Sequence, residues 1–256
     1  MKNFKKLSIF IMTILTLTVC TQSVSCKIIK KDVEIQTKDS RIIKAKIIYE
    51  GSIKKPKYPA VLLLHSIGYS SDDWGGNIIQ KLTSIGYAVI AMDLRGHGQS
   101  VYDTTIHKKS WDCFTNKAYQ KFPSDVVAII NQVKQQEKNI DINNMAIVGA
   151  DIGANTAVLA TKDLKAKPKT LVLISPTQNF KGLYIPIAMT ELNMPILTMS
   201  SKNDRFCLQE QKELAKFSQG GFYAQNYPNG GMGMLMLKVN PSMSMDITKW
   251  IANSLK

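Results

Sequence analysis

Two kinds of apolar pattern alternate along the chain. Residues 28–37 and 41–49 are rich in β-branched side chains and flank a Lys-Asp-Ser turn, which predicts an antiparallel hairpin. Residues 60–65 form a continuous apolar run, the mark of a strand covered on both faces. A helical pattern over 73–85 closes on Gly86. A second buried strand over 87–92 follows, then a loop to about Phe122 and a helix over 123–136 with proline at its start. The remaining pattern predicts strands at 145–149, 170–174, 195–199 and 221–225, and helices at 153–161, 208–217 and 242–255. Strands alternating with helices imply an α/β fold. The expected form is one domain over 27–256, a mostly parallel sheet of about eight strands with helices on both faces and the hairpin at an antiparallel edge. In such sheets chemistry gathers in loops at the carboxyl ends of the strands.

The first residues read as an address. Lys2, Lys5 and Lys6 precede an apolar run over 7–19, and Ser23-Val24-Ser25 places small residues at −3 and −1 of a cut before Cys26. Thirteen residues are too few to cross ~30 Å of hydrocarbon at 1.5 Å each. Residues 1–25 are therefore expected to be a signal peptide, with Cys26 a lipidation candidate, and the protein to be exported: periplasmic, secreted or lipid-anchored.

Charge changes the picture less than its size suggests. The 33 basic residues against 19 acidic ones give +14, but only three of the basic residues are arginine and the lysines run the length of the chain. Nucleic-acid readers favour bidentate arginine and interleaved aromatics, so no nucleic acid is expected. A membrane is expected only through an anchor at Cys26. An apolar content of 45% with 20% charged residues is a globular balance.

Four strand ends carry chemistry-bearing residues: His65-Ser66-Ile67-Gly68, Asp93 to Ser100, Gly149-Ala150-Asp151-Ile152-Gly153, and Ser200 to Asp204. Taken together they resemble the α/β-hydrolase superfamily, in its esterase, lipase and serine-peptidase-like branch, over nearly all of residues 28–256. The segment Asp93-Leu-Arg-Gly-His-Gly-Gln-Ser100 is the most specific piece. The resemblance makes the third loop the nucleophile elbow, whose tight turn needs small residues two positions either side. Gly149 and Gly153 keep that requirement. It makes the backbone N–H of Ile152, with one from Ser66 or Ile67, the oxyanion donors, and it makes Asp204 the acid of the triad.

Two positions depart from the family pattern. Asp151 stands where the nucleophilic serine belongs, and Met232 stands where the histidine belongs, in Tyr227 to Met234. A thioether neither takes nor gives a proton near neutral pH. The chain has three histidines, all before the elbow: His65 and His97 are read as loop residues bonded to backbone, and His107 is the one replacement base on offer. The triad is thus degenerate. The favoured reading is a non-catalytic protein that works by binding, with a small-molecule or acyl ligand, no cofactor and no metal. The alternative is an atypical hydrolase using Asp151 as nucleophile and an unrecognised base; epoxide hydrolases and haloalkane dehalogenases in the family do use aspartate there. Those relatives carry a helical cap, whereas only residues 175–193 separate the strands at that point, so no large cap and an open pocket are expected.

Two further expectations concern the edge where these loops emerge. Cys113 and Cys207 both lie there, so an exported protein has the geometry for a disulfide between them. The Asp151 carboxyl, set at a helix start among oxyanion donors, is expected to stay ionised despite burial.

Overall fold

The computed structural model describes residues 27–255, so the expected signal peptide, Cys26 and its lipidation lie outside the described residues. The hairpin forms as the β-branched runs predict: β1 (Ile28–Gln36) pairs antiparallel with β2 (Ile42–Glu50), from Ile28 opposite Glu50 to Gln36 opposite Ile42. β3 (Tyr58–Leu64) is followed by a 3-10 turn (Ser71–Trp74), α1 (Gly75–Ser84) and β4 (Ala88–Met92). A long loop holds α2 (Asn116–Tyr119) and leads to α3 (Phe122–Gln136), β5 (Ile140–Ala150), α4 (Ile152–Asp163) and β6 (Thr170–Ile174). A small insert follows, with the two-residue strands β7 (Asn179–Phe180) and β8 (Leu183–Tyr184) and the single turn α5 (Pro186–Met189). The chain ends with β9 (Ile196–Ser201), α6 (Arg205–Leu214), β10 (Phe222–Tyr227), α7 (Met234–Val239) and α8 (Met243–Ser254).

Eight strands make one sheet in the order β1-β2-β4-β3-β5-β6-β9-β10, parallel from β4 onward and antiparallel at the leading hairpin. Because side chains alternate across a strand, the apolar run of β3 feeds two cores. Leu62 and Leu64 join Phe122, Val126, Ile129 and Val133 of α3 and Ala157 of α4 on one face. Val61 and Leu63 join Ile78 and Leu82 of α1 and Ile247 and Ile251 of α8 on the other. This is why the run had to be apolar at every position.

The insert after β6 is short, and Asn155 of α4 ties it down: its amide donates to the carbonyls of Thr177 and Leu183, both at 2.8 Å. It is no large cap. The sequence pattern missed β7, β8, α2, α5 and α7 because each spans six residues or fewer, too short to show a period.

Candidate active site at the carboxyl edge

Asp151 sits between β5 and α4 at φ 55°, ψ −117°, a conformation that L residues adopt only when their surroundings impose it. The surroundings do so through two glycines. A Cβ on Gly149 would run into the Gly153 carbonyl, and a Cβ on Gly153 into the Leu64 and His65 carbonyls. With both absent the turn closes, and Asp151 points up from the strand ends with only 4% of its surface exposed.

The segment Asp93 to Ser100 is a brace for this edge. Asp93 accepts from the N–H groups of Ser71 (2.7 Å) and Gln99 (2.8 Å), and the Ser100 hydroxyl donates to the Asp93 carbonyl while accepting from the Lys44 N–H. Arg95 is buried in a bidentate pair with Asp125 and also bonds Asp39. The His65 ring accepts from the Leu94 N–H (2.9 Å) through Nε2 and meets the Ser66 carbonyl through Nδ1; burial pushes its pKa down to about 4. His97 bonds the Arg95 carbonyl, stacks on Trp111 and is pushed down to about 3 by burial, with His65 a second cause. Both histidines are therefore neutral and committed to their loops. His107 lies on an exposed hairpin, its side chain 78% exposed, bonded to Thr105 and beside Asp103; none of its bonds among the described residues reaches Asp151.

The donors that would meet a substrate oxygen have another acceptor here. Ile67 donates its N–H to Asp151 Oδ2 at 3.2 Å, and the Ile152 N–H also acts on the carboxyl. Of the two candidates after His65, the structure thus brings Ile67 to the carboxyl, while the Ser66 hydroxyl accepts from the Met234 N–H at 3.0 Å. The other oxygen of Asp151 has no partner. Burial, opposed by the two N–H groups and reinforced by the charge of Asp204, raises the carboxyl to about 7. This corrects the expectation of a settled carboxylate: removing the group from water outweighs two donors.

The loop after β10 folds onto the elbow: Gly233 donates to the Ser175 hydroxyl (2.9 Å), Ser175 bonds Met236 Sδ, and Gly231 donates to Asn203 (3.2 Å). At Gly233, with φ 58°, a Cβ would lie 3.0 Å from Asp151 Cβ and strike Ser66 Oγ. Backbone at Gly233 thus packs directly against the elbow. Met232 is half-buried in this loop, beside Gly233.

Asp204 caps α6, accepting from the Cys207 N–H at 3.0 Å. The Cys207 thiol lies within the electrostatic reach of Asp204, Asp151 and Ser175, and burial first, then Asp204, raises its pKa far above the ordinary thiol value. The disulfide expectation is corrected here. Cys207 is a free thiol buried under the sheet edge, and Cys113 is a free, exposed thiol. Sharing an edge was not enough, because the first turn of α6 aims Cys207 inward. A maleimide should therefore modify Cys113 in the unreduced native protein and reach Cys207 only in denaturant. Absence of both reactive thiols in the native state would restore the bridge.

Sequence reasoning missed Ser175, the burial of the Cys207 thiol beside the acid, and the Gly233–Met234 backbone. Cys207 was findable, since three residues after an N-capping aspartate lies the first turn of the helix. Ser175, at φ 52°, gives no such signal.

Residues 55–192 match the family model described as Serine aminopeptidase, S33. An uncharacterised protein of Mycobacterium tuberculosis (strain H37Rv) is 29% identical over 136 residues, 53% of this chain and 34% of that protein; a protein of Mycobacterium bovis matches equally. The chain thus spans about a third of the length of these curated relatives. Among solved structures, an acetyl xylan esterase from Paenibacillus sp. R4 has a TM-score of 0.72 at 15% identity, covering 89% of this chain and 84% of that one. An esterase from Exiguobacterium antarcticum has a TM-score of 0.64 at 15% identity, covering 86% and 99%. At such identity these two establish the fold.

Proposed function

Because the chain belongs to the serine aminopeptidase S33 family of α/β hydrolases, we propose that it is an exported member that has given up turnover and works by binding. One observation carries the reading: the Asp151 carboxyl takes the Ile67 N–H that an acyl substrate would need, with the backbone at Gly233 packed against it. A serine at the elbow would leave that N–H for a developing oxyanion. Here the acceptor is permanent and part of the chain.

The missing base supports the same conclusion. General-base catalysis needs a group of suitable pKa within hydrogen-bond reach of the nucleophile or the attacking water. Met232 offers none, His65 and His97 are held neutral by burial, and His107 stands in solvent. An Asp151 nucleophile would therefore stall as an ester after one attack. A carboxyl raised to about 7 is also half protonated near neutral pH, and so a poor nucleophile.

The wild-type protein should show no turnover of nitrophenyl acetate or butyrate above buffer. Asp151→Ser alone should stay inert. Asp151→Ser with Met232→His should gain at least tenfold over buffer, since the histidine adds to the oxyanion donors and Asp204 the general base they lack, a contribution of roughly 10²–10⁴. Brisk wild-type turnover that Asp151→Ala abolishes would overturn the reading.

A further inference from the structure

Lysines spread evenly along the sequence are unevenly placed in space. Parallel strands send every second loop to the opposite edge, so the loops that precede strands share the edge away from Asp151. Residues 51–57, before β3, carry Lys54, Lys55 and Lys57 with no acid; residues 164–169, before β6, carry Lys165, Lys167 and Lys169 with no acid. β5 lies between those two strands and is preceded by Lys138. Tyr58 is in register with Ile140, and Ala146 with Thr170, so Lys57, Lys138 and Lys169 stand at the starts of three adjacent strands. The strands lie ~4.8 Å apart and Thr170 is level with Val61, three residues beyond Tyr58, so these lysines span roughly 14 Å.

The charge at this edge is not cancelled. Among the described residues none of these seven lysines is in an ion pair, and all are exposed. Of the acids nearby, Glu137 pairs with Lys31 and Glu191 with Lys162, leaving Asp141 and Asp163 against the seven lysines. At the Asp151 edge Lys109 pairs with Asp103 and Arg95 with Asp39 and Asp125, while Lys108, Lys117 and Lys202 are spread over separate loops, in no ion pair among the described residues.

The start of the described chain is at this same edge. Ile28 pairs with Glu50 at the end of β2, and β2 runs antiparallel to β4 with Ile48 opposite Val89, so β1 begins beside the start of β4. The residues before Lys27, which carry the expected export signal and Cys26, therefore join the fold where the unpaired lysines are.

We propose that this edge of the sheet docks on an anionic phospholipid surface, holding the Asp151 edge away from the bilayer. Clustered lysines beside a membrane-proximal segment are attracted to anionic headgroups by roughly fivefold in partitioning per lysine. A phospholipid surface fits better than nucleic acid. The lysine loops contain no arginine and no exposed aromatic on which bases could stack. Where the first residues of the chain are removed on export, the face still works as a peripheral contact, so the proposal goes beyond the export reading and fails separately from it.

The test uses residues 27–256, which hold all of β1 to α8 and both cores. Co-sedimentation in 0.1 M salt compares vesicles of three parts phosphatidylcholine to one part phosphatidylglycerol with vesicles of phosphatidylcholine alone. Binding should require the anionic lipid. The triple variant Lys57→Gln, Lys138→Gln, Lys169→Gln should lose at least tenfold. Lys108→Gln, Lys117→Gln, Lys202→Gln, which removes the same charge from exposed sites at the other edge, should lose less than twofold. Equal loss in the two triples, binding to pure phosphatidylcholine, tighter binding to polyuridylate than to the vesicles, or no binding at all overturns the proposal.

Discussion

Replacing Asp151 by asparagine should stabilise the protein increasingly as pH rises, with the variant's margin over the wild type widening by about 2–3 kcal/mol between pH 5 and pH 8. In the unfolded chain this carboxyl ionises near 3.8; in the fold, burial raises it to about 7. Between those values the folded protein holds a proton that the unfolded chain has released. The stability from this group is therefore fully present below pH 4, falls as pH rises through 7, and is lost above it. A shift of about three units corresponds to roughly 4 kcal/mol, reduced in the variant by an amide whose NH₂ has no ready acceptor. Asparagine keeps the shape and tolerates positive φ while never ionising. Denaturant titrations of both proteins at pH 5 and pH 8 read the difference directly, and other titrating groups cancel between them. A gap that does not widen with pH would mean that Asp151 ionises inside the fold at no cost.

Gly153→Ala should be the most damaging single methyl in the molecule. The added Cβ would meet the carbonyl oxygens of Leu64 and His65, which are main-chain atoms of the central strand and the loop that supplies the Ile67 N–H. Neither can retreat without breaking the pairing of β3 with β4 and β5. A loss of at least ~4 kcal/mol, or failure to accumulate as soluble protein, is expected. Gly75→Ala is the control: unlike Gly153 it has positive φ, 70°, but nothing lies within 4 Å of the new atom. It should lose only about 1 kcal/mol from backbone strain. Thermal melts of the two variants side by side separate steric exclusion from conformational preference, and equal losses would contradict the close approach at Gly153.

The elbow glycines also explain why the fold is conspicuous in this chain. Gly149, Gly153 and the residues Asp93 to Ser100 are held by backbone geometry and buried hydrogen bonds, so losing them would cost the fold itself. The serine and histidine of the family pattern carry chemistry alone. Aspartate can occupy the serine's place because it brings its own acceptor for the Ile67 N–H, and a glycine-rich loop can close where a histidine side chain would otherwise need room. On the proposed reading the scaffold is kept while the reactive positions are given over to binding.

What the sequence determined by itself was whatever depends on short-range pattern: the hairpin, the apolar runs of the central strands, the amphipathic helices, and the spacing of Gly149 and Gly153 about Asp151. Those features follow from side-chain alternation and from steric needs within a few residues, which a linear reading can see. Tertiary structure alone decided the rest. Whether Asp151 would be charged depended on burial by Gly233 and Met234, some eighty residues later in the chain. Whether Cys207 could meet Cys113 depended on which way the first turn of α6 faces. The evenly scattered lysines became one basic edge because parallel strands with helical crossovers return every other loop to the same side. Each of these outcomes is a matter of who stands next to whom across the sheet, and the chain writes that only when it folds.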